Sequence, residues 1–251
     1  MHTGELLYAI QDEGDHVVLG VQGELSLDTA GQLRTLLDKL LLDRGQVIVD
    51  LAALRLRWRP TVGLFPTALA AAGGWPAARL VLAGADSTMT AALRAARVPL
   101  SVPLAVELSR AAPLLLPRPT RVSASRDLPR SAEAPRWARS LIMMKREDWA
   151  APPLTAQFWD DAALVATELV TNAVEHAGTS SLFTLALDEL KLHIGVRDRW
   201  PGGRVRRCDP DSRNLRGRGL VVVEALSRSW GVTPHDNGKT VWAVLSPDST
   251  G

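Results

Sequence analysis

Glu168-Leu169-Val170-Thr171-Asn172-Ala173-Val174-Glu175-His176 is the stretch on which the reading of this chain turns. Glu168 and Asn172 are four residues apart, so on a helix they share one face, a turn from each other. Leu169, Val170, Ala173 and Val174 are placed to cover the buried side. A carboxylate beside a carboxamide suits a magnesium nucleotide. The Asn oxygen is a hard ligand, and Mg²⁺ keeps several waters and shares phosphate oxygens. The Glu can take a proton from a nearby hydroxyl or water. The same pair taken alone also fits an ordinary solvated helix face.

Three elements downstream sharpen the reading. Val196-Arg197-Asp198 ends an apolar strand with a carboxylate, able to accept a hydrogen bond from an amino group such as that of adenine. Arg216-Gly217-Arg218-Gly219-Leu220 is a glycine-containing loop that opens into a helix. Glycines let backbone N–H groups approach a phosphate, and a helix N-terminus favours the anion. Gly238-Lys239-Thr240-Val241-Trp242 then places a hydroxyl, that of Thr240, on the last strand.

Around these motifs the second half of the chain has a clear rhythm. Residues 131–145 read as a helix with Pro135 near its start, and 157–176 as one long helix. Residues 182–187 and 190–196 read as two strands joined at Asp188-Glu189. An irregular, charged segment runs from Asp198 to Gly219 and carries a local cluster of arginines. A helix over 220–227 and a final strand over 240–245, after the turn Asn237-Gly238, complete an antiparallel sheet with helices on one face.

The first half alternates strands and helices. Residues 6–10 and 16–22 form a hairpin around Asp12–Asp15. Asp28 is the expected N-cap of a helix whose Leu33, Leu36, Leu37, Leu40 and Leu41 recur at helical spacing, with Gly45 ending it. Val47-Ile48-Val49-Asp50-Leu51 and Arg79-Leu80-Val81-Leu82-Ala83 are apolar strands of the kind buried on both faces. Helices are expected over 61–72, from Ser87 or Thr88 to Arg97, and over 109–116, with a strand over 101–106. Such strand–helix units favour a mixed sheet covered by helices. Pro113-Leu114-Leu115-Leu116-Pro117-Arg118-Pro119 reads as a linker, so the expected domains are 1–115 and 116–251.

Composition is that of an ordinary globular protein: 251 residues, 46% hydrophobic and 22% charged, with a formal net charge of +2. That charge gives no electrostatic case for direct nucleic-acid binding. Cys208 is the only cysteine, which excludes an internal disulfide and fits a reducing compartment. No stretch resembles a signal peptide or approaches the roughly 20 apolar residues of a membrane span. A cytoplasmic location without membrane attachment is therefore expected.

With the motifs in order, the second half resembles the GHKL ATPases, and within them the actinobacterial anti-sigma-factor serine/threonine kinase-like proteins. Glu168 to His176 resembles the N box, Asp198 the acidic residue of the G1 box, and Gly217 and Gly219 the G2 box. The resemblance covers about residues 118–246 and implies a GHKL (HATPase_c) α/β sandwich that binds ATP and Mg²⁺. It implies that Asn172 ligates Mg²⁺ and that Glu168 is the general base on an acceptor serine. Asp198 would read the adenine amino group with help from Thr240. Gly217 and Gly219 would form a phosphate lid with Arg216, Arg218 and Leu220 about them, and His176 would pack or touch phosphate weakly. One departure stands out. After Asp198 the chain reads Arg199-Trp200-Pro201-Gly202-Gly203, where the family has glycines at alternate positions.

The first half resembles a STAS domain of the anti-sigma-factor antagonist type, through Gly23-Glu24-Leu25-Ser26, the helix after it and the two apolar strands. The family's phosphoacceptor position falls on Val62, which has no hydroxyl, with Thr61 beside it. Together the two resemblances imply an ATP-binding regulator of the partner-switching type, controlling transcription through protein partners: a STAS antagonist and a sigma factor. A homodimer stays open. The alternative is a non-catalytic binding module whose nucleotide is structural or absent. A sensor histidine kinase is disfavoured, because no helix with a phosphoacceptor His stands before the ATPase motifs.

Overall fold

The computed structural model describes residues 5–176, 179–199 and 218–247. The chain divides into two compact units, Met1–Ala124 and Ser125–Gly251. The Leu115 region, where the sequence suggests a linker, is a 3₁₀ turn over Ala112–Leu115.

In the first unit, β1 (Leu7–Asp12) and β2 (Val17–Leu25) form the expected antiparallel hairpin. β2 pairs in parallel with β3 (Gln46–Asp50), β3 with β5 (Arg79–Ala83), and β5 with β6 (Leu104–Ala105). A short β4 (Leu54–Leu56), not evident from the sequence, pairs with the far end of β2. The result is the mixed sheet anticipated, in the order β1-β2-β3-β5-β6. Its helices are α1 (Leu27–Arg44), α2 (Leu64–Ala71) and α3 (Ser87–Ala95).

The central strands are apolar without alternation because both faces are covered. Val47 and Val49 join Leu33, Leu37 and Phe65 in one cluster, while Ile48 and Val81 join Ala111 and Leu115 in another. Each Val, Leu, Ile or Phe among these side chains contributes about 1.5–3 kcal/mol by leaving water. Four expectations are corrected locally. Ser26, not Asp28, caps α1, through a reciprocal box with Thr29. Asp86, not Ser87 or Thr88, caps α3, its carboxylate accepting from the Met89 N–H at 2.8 Å. The predicted helix over 61–72 opens as a 3₁₀ turn, Arg59–Gly63, before α2. The predicted helix over 109–116 is two 3₁₀ turns, since Pro113 lacks the N–H that a continuous α-helix would bond to the Ser109 carbonyl.

The second unit holds β7 (Arg121–Leu128), α4 (Ala134–Trp149), α5 (Ala156–His176), β8 (Ser181–Asp188), β9 (Lys191–Asp198), α6 (Arg218–Leu226), β10 (Ser229–His235) and β11 (Gly238–Leu245). The sheet runs β10-β11-β9-β8-β7. Phe183, Leu185 and Leu187, with Leu192, Ile194 and Val196 and with Ala243 and Leu245, alternate along their strands and are buried. That face carries α5, which packs on β8, β9 and β11 and in turn against α4 and α6. Helices on one face of an antiparallel sheet is the architecture expected. The two edge strands β7 and β10 were missed.

Candidate functional site

α5 places the first pair of site residues. Thr155 Oγ1 accepts from the Phe158 N–H at 3.2 Å and starts the helix. Val165, Ala166, Leu169 and Val170 bury its inner side. Glu168 and Asn172 emerge half-buried, on one face and a turn apart, as the spacing predicts. His176 is the last residue of α5.

α6 meets that face. Gly219 stands in its first turn, and a Cβ added there would run into Glu168 Oε2 and lie 3.4 Å from the Glu168 carboxyl carbon. A glycine lets the helix start this close to the carboxylate without displacing it, whereas a larger residue would push the Glu168 side chain aside. Leu220 follows, half-buried, and Arg218 is the helix's first residue. Arg216, Gly217, Cys208 and the run from Trp200 to Gly203 lie outside the described residues.

Asp198 closes β9 on the helix-covered side of the sheet and is 2% exposed. A carboxylate so deep must be hydrogen-bonded. Its Oδ1 accepts from the backbone N–H of Lys239 at 3.2 Å, and its Oδ2 lies 3.4 Å from Lys239 Nζ. Gly238 makes this approach possible: its φ is +144°, and a Cβ there would collide with the Asp198 carbonyl. The next residue, Arg199, has its N–H held by Thr179 Oγ1 at 3.3 Å.

Thr240 is not brought to Asp198. In the β9–β11 register it sits opposite Arg197, on the other face of the sheet, where its hydroxyl is 2.8 Å from His235 Nε2. The residue that reaches Asp198 is Lys239, one position earlier. The sequence motif contained Lys239, but which of the two neighbours faces Asp198 depends on the strand register. In the first unit Thr61 is buried, its hydroxyl donating to the Trp58 carbonyl at 2.5 Å, and Val62 beside it is 1% exposed. Among the described residues no group of three or more His, Cys, Asp or Glu side chains is placed to hold a metal ion, and no helix is long and apolar enough to cross a membrane.

Residues 133–245, which carry all the described site residues of the second unit, match the family model of the histidine kinase-like ATPase domain. That match lies wholly within the second unit. No curated protein matches the chain. Among solved structures, the chain is similar to an anti-sigma factor antagonist from Mycobacterium paratuberculosis, at 21% identity over 44% of this chain and 94% of that one, with a TM-score of 0.37. It is similar to the RsbU and RsbW domains of a Mycobacterium tuberculosis protein, at 20% identity over 49% of this chain and 32% of that one, with a TM-score of 0.39. A histidine kinase domain from Erythrobacter litoralis is similar at 16% identity, over 49% of this chain and 63% of that one, with a TM-score of 0.34. Within the matched residues, then, Glu168 and Gly219 form one contact point and Asp198 and Lys239 another.

Proposed function

We propose that the protein is an ATP-binding regulator of the partner-switching type, which phosphorylates a serine or threonine of a STAS antagonist and thereby controls a sigma factor. The observation that carries this is the seating of the first turn of α6, at Gly219, on the carboxylate of Glu168. It unites a phosphate-type helix start with a base in a domain of ATPase type. The donor set fits a magnesium nucleotide. Asn172 offers a hard oxygen to Mg²⁺, and Asp198 is a buried acceptor for the exocyclic amino group of the base.

Bound Mg-ATP supplies the phosphoryl group and the metal's charge. The protein's part is positioning. Asn172 would hold the metal-bearing end, Asp198 would fix the base, and the start of α6 at Gly219 and Leu220 would receive the phosphates, Arg216, Gly217 and Arg218 being the residues just before them in sequence. Glu168 would take the proton from the acceptor hydroxyl as that oxygen bonds the γ-phosphorus and the bond to the bridging oxygen breaks, with ADP as the leaving group. His176, the last residue of α5, is assigned no chemical step. The first unit is a STAS-like regulatory module and not the acceptor, because Val62 lacks a hydroxyl and the Thr61 hydroxyl is buried in its own turn.

The test is transfer of labelled phosphate from ATP to a panel of STAS proteins, beside calorimetric ATP binding. Glu168→Gln should keep binding and lose transfer by at least about a hundredfold, the typical contribution of a general base. Transfer undiminished by that change would remove Glu168 from the chemistry. Arg199, at a position where the resembling family has small residues, favours a second reading: a binding module without turnover. ATP binding with no transfer to any STAS protein would establish that reading instead.

A further inference from the structure

We propose that Asp161 and Ser227 are positioning residues of the nucleotide site: a hydrogen bond from the Ser227 hydroxyl to the Asp161 carboxylate, made as phosphate binds at the start of α6, holds that helix on α5. This rests on the ATP reading above. Each of the two side chains carries a buried oxygen without a hydrogen-bond partner, Asp161 Oδ2 and Ser227 Oγ. Asp161 is 7% exposed, and its other oxygen, Oδ1, accepts from Gln157 Nε2 at 2.7 Å. A carboxylate oxygen can only accept and a hydroxyl can donate, so each group supplies what the other lacks. Leaving such groups buried and unpaired is unfavourable, and one bond between them relieves both.

The helices bring the two to the same level. α6 packs on α5, with Gly219 against Glu168. α5 ends at His176, and β8 then begins at Ser181 opposite Asp198, so the start of α5 lies toward the other end of the sheet. α6 leaves toward that other end, where the Arg228 N–H bonds the Val244 carbonyl at 2.9 Å and Val244 lies opposite His193. The two helices are therefore antiparallel. Asp161 is seven residues before Glu168 on the same face, about 10.5 Å back along α5 at 1.5 Å per residue. Ser227 is eight residues beyond Gly219, about 12 Å along α6, and its N–H still bonds the Val223 carbonyl at 3.0 Å in helical register. Val223, midway between Gly219 and Ser227, is buried, so this face of the short helix is the packed one. An anion drawn to the N-terminus of α6 acts on one end of a stiff rod whose other end carries Ser227.

The experiment is calorimetric Mg-ATP binding, beside chemical denaturation without nucleotide, on the full chain as wild type, Ser227→Ala, Asp161→Ala and the double variant. Ser227→Ala should bind Mg-ATP at least about tenfold more weakly, the least that a hydrogen bond to a charged group contributes. Without nucleotide it should unfold at the same denaturant midpoint as wild type, because the hydroxyl it removes has no partner there. In the Asp161→Ala background the same change should bring no further loss of affinity. Undiminished binding by Ser227→Ala overturns the proposal while the ATP reading stands. Losses at the two positions that simply multiply overturn it as well, since the residues then do not act through one bond. A loss of affinity matched by a loss of stability without nucleotide makes Ser227 a plain structural residue and also overturns it. If wild type binds no Mg-ATP, the ATP reading fails and this one with it. Should Asp161→Ala not fold, Ser227→Thr, which keeps the hydroxyl and should keep binding, decides the matter against Ser227→Ala.

Discussion

Asp198 and Asn172 are both expected to matter for nucleotide binding, yet their surroundings predict different costs. Asp198 is buried and hydrogen-bonded to Lys239, so Asp198→Asn should abolish ATP binding and also lower stability, by about 1–3 kcal/mol, because a charged hydrogen bond is broken in a recess. Asn172 is half-buried on a helix face, so Asn172→Ala should remove Mg-ATP binding with little change in unfolding free energy. Calorimetry for binding and chemical denaturation for stability separate the two. Equal losses of stability would refute this assignment. At Asp12 the hydrogen bond from Arg44, then that from the Gly14 N–H, holds the carboxyl down to about 2. Its contribution to stability is therefore complete above the unfolded value of about 4 and is lost as pH falls through about 2. Asp12→Asn should flatten the acid limb of the first unit's stability curve in that window by lowering the plateau above about pH 4, only slightly since the pair is exposed, while leaving stability below about pH 2 unchanged.

Caps and hairpins set the geometry between residues. Asp86→Ala should cost about 1 kcal/mol, since the Asp86 carboxylate satisfies the Met89 N–H at the start of α3. Gly238→Ala should cost more than a surface change and should weaken ATP binding as well, because its backbone conformation and the adjacent Asp198 carbonyl both exclude a side chain. Thermal melts of the two variants provide the comparison. At this scale much was legible in the amino acids. The leucine spacing of α1, the long apolar face of α5 and the unbroken apolar runs of β3 and β5 each allow one solution. The edge strands were not legible. β7 is written in small and charged residues, Ser123, Ser125, Arg126 and Asp127, with few apolar anchors. β10 interrupts its pattern with Gly231 and Pro234. Gly231 is needed because the Trp242 indole lies where a side chain would stand, a demand that appears only once β10 and β11 are paired. The same dependence on pairing hid Lys239 behind Thr240.

For the molecule as a whole, a ligand that binds one folded unit stabilises that unit alone. Mg-ATP at a hundred times its dissociation constant should add about 2.7 kcal/mol to the unit that holds it. Peptide-resolved hydrogen exchange should show slower opening across α5, β9 and β11 and unchanged exchange in β2, β3 and β5. Equal protection of both units would contradict a site confined to the second. The strand β7 has a practical bearing of its own. It spans Arg121–Leu128, while the compact units part between Ala124 and Ser125, so the seam in the chain runs through an edge strand of the second sheet. A chimaera that grafts this second unit onto another protein should therefore take its crossover upstream of Arg121, in the proline-rich stretch. A crossover at the seam itself would hand half of an edge strand to the wrong parent and leave β8 with a raw border open to pairing with a neighbouring chain.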